Sequence, residues 1–477
     1  MRRNILFYIV TLLVFGTGVY FMLAAGRNLE LASGLPVTVA QTSSASLAGA
    51  FSTNLQEPLS ILLLQVIAII VAARLMGLLL HKIGQPAVIG EMIAGIMLGP
   101  SLLGALFPAV QSFLFPASSL GLLKTLSQLG VILFMFVVGL DLNLGHLRLK
   151  AQTAVLVSHA SIMAPFSLGI ALSLLIYRSL ATPHISFTAF ALFMGVAMSI
   201  TAFPVLARII EERGLTKTWL GTTAIACAAV DDVTAWCMLA IVVAITKAGG
   251  LASSVTTIVL TLVFIGVMLF LLKPWAERLA ERVGNDLIGK RIVTLVLVIV
   301  FTSSLFTELI GIHALFGAFL AGVIMPSHEG LRSFLRARLE TFSASFLLPL
   351  FFAFTGLRTQ IGLLDDWQSW LMCVAVIGVA IAGKLGGSMI AARWTGMNWQ
   401  ESFLVGALMN TRGLVELIVL NLGYDLGILP AKIFGMMVLM ALVTTFMTGP
   451  LLWLVEFWNR TTYATESWRN QFTVDAG

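Results

Sequence analysis

Charge is what this chain has least of. Of 477 residues only 22 are acidic and 28 are Lys or Arg, 10% together, against 59% hydrophobic. Soluble chains run at about 25% charged, so a soluble domain of this length is excluded. Cysteine is scarce as well: Cys227, Cys237 and Cys373 lie scattered in apolar segments. That pattern excludes a disulfide framework and a cysteine metal site, and the three read as small core residues. The formal charge of +6 does not mark a nucleic-acid binder, because the basic residues fall in short connections between long apolar runs. The composition is that of an all-α polytopic membrane protein.

About fourteen runs are long and apolar enough to cross a bilayer. They lie near 4–25, 59–81, 86–104, 119–140, 152–177, 185–211, 218–246, 252–272, 289–306, 310–326, 342–358, 368–394, 401–423 and 431–457. Basic residues alternate with them. Counting from Arg2 and Arg3, every second connection is basic: Lys82; Arg148 and Lys150; Arg213 and Lys217; the 273–291 segment; Arg332, Arg336 and Arg338; Arg393; and Arg460 and Arg469 in the tail. The opposite side holds Arg27, Arg178, Lys247 and the acidic pair Asp365 and Asp366. The positive-inside rule then places both termini in the cytoplasm. The first run is long for a signal peptide and reads as a retained helix. Residues 1–57 are that helix with a Ser/Thr-rich external linker (38–53), 58–457 the transmembrane domain, and 458–477 a short tail with no soluble regulatory domain expected after it.

Two adjacent aspartates, Asp231 and Asp232, sit in the middle of TAIACAAVDDVTAWCMLAIVVAI. A charge at bilayer depth is costly and by default belongs to an ion or proton path. Each carboxylate raises the cost of ionising the other. Neighbours on a helix point about 100° apart, so the pair suits one partner and one water-filled path. Lys384, central in AIAGKLGGSMI, is the partner in view, since opposite charges in a bundle pair. Its flanking glycines Gly383, Gly386 and Gly387 allow close helix approach.

Two segments read as interrupted helices. In MSITAFPVLAR, Pro204 removes a backbone donor, which leaves carbonyls near 198–201 unpaired. With the hydroxyls of Ser199 and Thr201 they are oxygen ligands suited to a hard cation. In LMNTRGLVELIV, Asn410, Arg412, Gly413 and Glu416 lie at similar depth, and Arg412 and Glu416 can pair at i,i+4. Broken segments at corresponding places in two halves point to a transporter site.

The segments GQPAVIGEMIAGIMLGPSLLG, LGVILFMFVVGLDLNL, SITAFPVLARIIEE, AAVDDVTAW and MNTRGLVELIVLNLG resemble the monovalent cation:proton antiporters, specifically the second cation–proton antiporter family. The resemblance runs over about 58–457. It implies two inverted-topology repeats with crossed broken helices, repeat one at about 58–247 and repeat two at about 289–457, joined by a linker helix at about 252–272. It implies thirteen family helices plus the N-terminal one, a moving core holding spans four to seven and eleven to fourteen, and a homodimer built through spans two, three, nine and ten. It gives Asp232 the cation and the proton, with Na+ on its carboxylate, and Asp231 the salt bridge to Lys384. Asp-Asp members are typically electrogenic.

The activity expected is therefore exchange of a monovalent cation, Na+ foremost, for H+ by alternating access, in a bacterial inner membrane. No cofactor, no nucleic-acid partner and no enzymatic reaction are expected. A K+/H+ antiporter of the same fold is the alternative, and a sodium-coupled solute symporter a weaker one. A channel lacks its filter motif, and an intramembrane aspartyl protease needs its aspartates on different helices.

Overall fold

The computed structural model describes residues 57–141, 151–183, 185–215, 218–247, 251–282, 290–326 and 328–474, preceded by 13–22, 24–25 and 54–55. Arg2, Arg3, Arg148, Lys150, Lys217 and the linker 38–53 lie outside the described residues. The chain divides into two compact units, 1–60 and 61–477. In the first, an apolar helix runs Leu13–Met22.

The second unit is helical, with no strand among the described residues. Its main helices are α1 (Pro58–His81), α2 (Ala87–Leu98), α3 (Leu120–Asp141), α4 (Ala151–Leu180), α5 (Phe187–Ser199), α6 (Phe203–Glu212) and α7 (Trp219–Lys247). There follow α8 (Leu251–Gly266), α9 (Lys290–Ile310), α10 (Ala314–Val323), α11 (Glu329–Phe342) and α12 (Leu348–Arg358). The last are α13 (Trp367–Ile381), α14 (Gly387–Trp394), α15 (Trp399–Met409), α16 (Leu414–Asp425) and α17 (Ala431–Val474). In lipid every backbone polar group must be satisfied within the segment, which is why apolar runs of this length form helices.

Among the described residues ten helices are long and apolar enough to span a bilayer, or eleven if the bent pair α15–α16 is one span. The expected fourteen therefore include shorter pieces: Leu13–Met22, α5 and α10. The run at 289–326 does split. Residues 311–313 turn the chain between α9 and α10, with positive φ at Gly311 (97°) and His313 (98°). Gly311 adopts that φ at no steric cost.

The helices pack in two groups. In one, α3 packs on α10 and α12, α12 on α2, and α9 on α10. In the other, α4 packs on α5, α7 and α14, α13 on α17, and α15 on α7, α14 and α17. Spans four and eleven, expected in the core, thus pack with the first group. Close approach explains this: a Cβ on Gly139 of α3 would meet the Phe319 carbonyl oxygen of α10 at 2.1 Å, and one on Gly356 of α12 would meet the Gly95 carbonyl carbon of α2 at 2.2 Å.

Candidate functional site

The second group holds the buried charged residues among those described. Asp231, Asp232, Lys384, Arg412 and Glu416 are all fully buried. Lys384 lies in a π-helical turn, residues 382–386, between α13 and α14. Such a bulge re-aims side chains within a helix. Gly383 brings this turn onto α4, where an added Cβ would stand 2.7 Å from the Pro165 Cα.

The two aspartates have unlike surroundings. Lys384 Nζ lies 2.7 Å from Asp231 Oδ2. Asp231 Oδ1 accepts from Ser161 Oγ at 2.9 Å and from Ser158 Oγ at 3.3 Å. Lys384 also donates to Ser161 Oγ (3.3 Å) and to the Ser199 carbonyl. Among the described residues neither oxygen of Asp232 has a hydrogen-bond partner. A buried charge is tolerated when paired and hydrogen-bonded; Asp231 meets that condition and Asp232 does not.

Both breaks are present. α5 ends at Ser199, Ile200 and Ala202 are extended, and α6 begins at Phe203 with Pro204 in its first turn. There the missing N–H costs nothing. α15 ends at Met409 and α16 begins at Leu414, bent by 44°. The two interruptions cross and are tied: Ala202 N–H donates to the Thr411 carbonyl (3.0 Å), and Thr201 Oγ1 to the Met409 carbonyl (3.1 Å). The Arg412 N–H donates to Thr445 Oγ1 (3.1 Å), whose hydroxyl returns to the Arg412 carbonyl (2.8 Å).

Of the carbonyls expected free near 198–201, those of Met198 and Ser199 are taken. Arg412 donates to the carbonyls of Ala197 (3.2 Å) and Met198 (2.6 Å), and Lys384 takes that of Ser199. A helix C-terminus carries partial negative charge and unpaired carbonyls, and two protein cations satisfy them. Ser199 Oγ donates to the carbonyls of Gly195 (2.7 Å) and Ile162 (3.1 Å). Both candidate hydroxyls, Ser199 and Thr201, are thus committed as donors. Arg412 also pairs with Glu416 at 3.1 Å. The amide of Asn410, Nε of Arg412 and Oε2 of Glu416 are buried without a partner among the described residues.

Sequence reasoning missed Ser158, Ser161 and Thr445. The two serines stand three apart in α4 and so share a face; that spacing in an apolar run was the available signal.

A cavity of about 510 Å³ approaches the crossing from one face. Phe203 and Leu414, the first residues of α6 and α16, line it, with Asp141, Glu211, Arg336 and Glu340. Arg336 pairs with Glu340 at 2.8 Å and Asp141 at 3.5 Å.

A family profile described as sodium/hydrogen exchanger, transmembrane, matches residues 66–455. The chain is 46% identical over 396 residues to the Na(+)/H(+) antiporter NhaS4 of Synechocystis, covering 83% of this chain and 97% of that protein. It is 41% identical to Cation/H(+) antiporter 17 of Arabidopsis thaliana, 83% of this chain and 48% of the relative being covered. It is 34% identical to K(+)/H(+) antiporter 1 of Saccharomyces cerevisiae, over 85% of this chain and 47% of that one. The chain spans about half the length of the plant and yeast relatives. Among solved structures it resembles the sodium proton antiporter MjNhaP1 of Methanocaldococcus jannaschii, with a TM-score of 0.58 at 14% identity, covering 81% of this chain and 94% of that one. At that identity the likeness concerns the fold.

The relatives are named as transporters, in line with the expectation of no enzymatic reaction. Apolar spans, buried charges at two crossed breaks and these matches agree: this is an integral membrane protein, and the chain belongs to the sodium/hydrogen exchanger family of monovalent cation:proton antiporters.

Proposed function

We propose that this chain exchanges Na+ for H+ by alternating access, with Asp232 binding each ion in turn. One observation carries this reading: Asp231 pairs with Lys384 and Arg412 with Glu416, whereas Asp232 is buried with both oxygens unpartnered. The paired charges cancel, so a proton or a cation on Asp232 decides whether the site crosses the low-dielectric barrier neutral. A bare carboxylate crosses at a large desolvation cost. That rule by itself yields obligatory exchange. The cavity supports access from one face, and Asn410, with its unpartnered amide, is a supporting oxygen ligand at the crossing.

Release of the Lys384 proton would make the cycle electrogenic, with the lysine meeting Asp231 in one step and losing its charge in another. The two breaks at equivalent places favour inverted repeats at about 58–247 and 289–457. A homodimer through the first packing group, a bacterial inner membrane and cytoplasmic termini complete the reading. Na+ as cargo rests on the Synechocystis relative, whose name specifies it; the yeast relative's name favours K+ as the second reading.

Proton flux driven by Na+ in membrane vesicles tests the proposal. Asp232→Asn is expected to abolish it, and retained cation-dependent flux would overturn the assignment. Solid-supported electrophysiology with Na+, Li+ and K+ decides the cargo.

A further inference from the structure

At the end of the bundle away from the cavity, charges join the two packing groups. Asp425 ends α16, which packs on α17 and α5 of the second group and continues the broken helix of the site. Its Oδ1 lies 2.8 Å from Arg358 Nη2, and its Oδ2 lies 2.9 Å from Lys124 Nζ. Arg358 ends α12 and Lys124 lies in the first turns of α3, so both cations belong to the other group. Beneath the ion pairs runs a second tie. Arg358 Nη1 donates to Asn421 Oδ1 (3.1 Å), and Asn421 Nδ2 donates to Thr355 Oγ1 (2.7 Å). The guanidinium also lies over Phe354 of its own helix (4.3 Å) and Tyr424 of α16 (5.2 Å).

The cavity face is built differently. Lys124 and Asp141 are about 25 Å apart along α3, so the two faces are opposite ends of one helix. At the cavity, the described pairs of Arg336 are with Asp141 and Glu340, all within the first group. The groups are parted there by the cavity, across which Glu211 of α6 and Arg336 face each other, and among the described hydrogen bonds a neutral amide bridges them. Gln85 Nε2 donates to the Phe446 carbonyl (3.2 Å), which Pro450 cannot serve four residues on.

We propose that Asp425, bracketed by Arg358 and Lys124, is a latch that holds one face of the pathway shut while the other is open, and that its opening admits the cation from the latch face. These are positioning residues: they bind no ion and set which state the protein occupies. The side chains of Arg358 and Asp425 are 17% and 26% exposed. They are close enough to water for separated charges to rehydrate, and the two cations on one carboxylate make a network rather than an isolated surface pair. Asn421, one turn before Asp425, makes any break in the pair a movement of α16. That helix begins at the break where Arg412 closes on the end of α5, so closure is linked to the site itself. By the alternation of basic residues the latch face is external.

The latch presupposes the exchange reading above, and the two fail differently. Proteoliposomes of known orientation carrying the full chain would be assayed for the Na+ KM on each face. Asp425→Asn and Arg358→Gln weaken the closed state. The KM on the latch face should fall about fivefold and that on the cavity face should rise by a smaller factor, because the two fractions sum to one and the cavity-open state predominates at the start. Lys124→Gln, which leaves the Arg358 pair, should shift both in the same sense by less. Arg358→Lys, which keeps the charge, should restore most of the wild-type asymmetry. Unchanged KM values, or values moving together on both faces, in variants that still exchange would overturn the latch and spare the exchange reading. An absence of exchange in the unaltered protein would overturn both.

Discussion

Lys384 Nζ stands 2.7 Å from Asp231 Oδ2 and donates to the carbonyl of Ser199 as well. One ammonium therefore joins three elements: the Asp-Asp helix, the π turn it comes from and the broken end of α5. Arg412 does the same from the other break, reaching Ala197, Met198 and Glu416. The crossing is held by two cations, each with its own carboxylate.

Removing one partner of the first pair should cost more than removing both. Lys384→Met leaves Asp231 buried with its serines alone, and a broken buried pair costs about 3–5 kcal/mol. Lys384→Met with Asp231→Leu should recover part of that loss. Thermal unfolding in detergent measures it; a double variant as unstable as the sum of the singles would count against coupling. In the same pair, Lys384→Gln should lower the charge moved per cycle, read by solid-supported electrophysiology.

Arg412 should tolerate neither loss of charge nor loss of shape. Arg412→Lys keeps the charge but gives up the planar fork that spans two carbonyls and a carboxylate. A cost of about 1–3 kcal/mol for carbonyls left unpaired is expected. Arg412→Gln should cost about 3–5 kcal/mol, because Glu416 is then a lone buried charge. Equal stability of both variants and the parent would show that the end of α5 does not depend on this side chain.

The approach of the π turn to α4 should be intolerant of bulk. Gly383→Val places a Cβ where Pro165 Cα and Cβ lie at 2.7 and 2.9 Å. Overpacking of this kind costs about 1–3 kcal/mol, and the shift also displaces Lys384 from Asp231. Unfolding temperature and Na+-driven proton flux should both fall; unchanged values would mean that α4 and the turn can part freely.

Removing a donor to Asp231 should be milder. Ser161→Ala deletes the 2.9 Å bond to Oδ1 and the contact with Lys384, while Ser158 remains at 3.3 Å. A loss of about 1–3 kcal/mol is expected, and Ser161→Thr, which keeps the hydroxyl, should retain more stability than Ser161→Ala. The order of the two in thermal unfolding is the check.

The amino-acid sequence by itself determined the class of protein, the places of the long helices, both breaks and the costly residues. These are local properties: hydropathy over about 20 residues, a proline, a glycine, a charge in an apolar run. It also told the two aspartates apart in principle, because helical periodicity turns neighbours about 100° from each other. Tertiary structure decided what each charge meets. Asp231 and Lys384 are 153 residues apart in the chain, and which of two adjacent carboxylates receives the ammonium depends on helix rotation and register. The same holds for the carbonyls of α5. Pro204 marks the break, but only packing showed Arg412, from 214 residues away, closing on Met198. The charges at Lys124, Arg358 and Asp425 sit near helix ends, where isolated charges are ordinary, so nothing local distinguishes them. Their meaning arises when three helices bring both cations within 3 Å of Asp425.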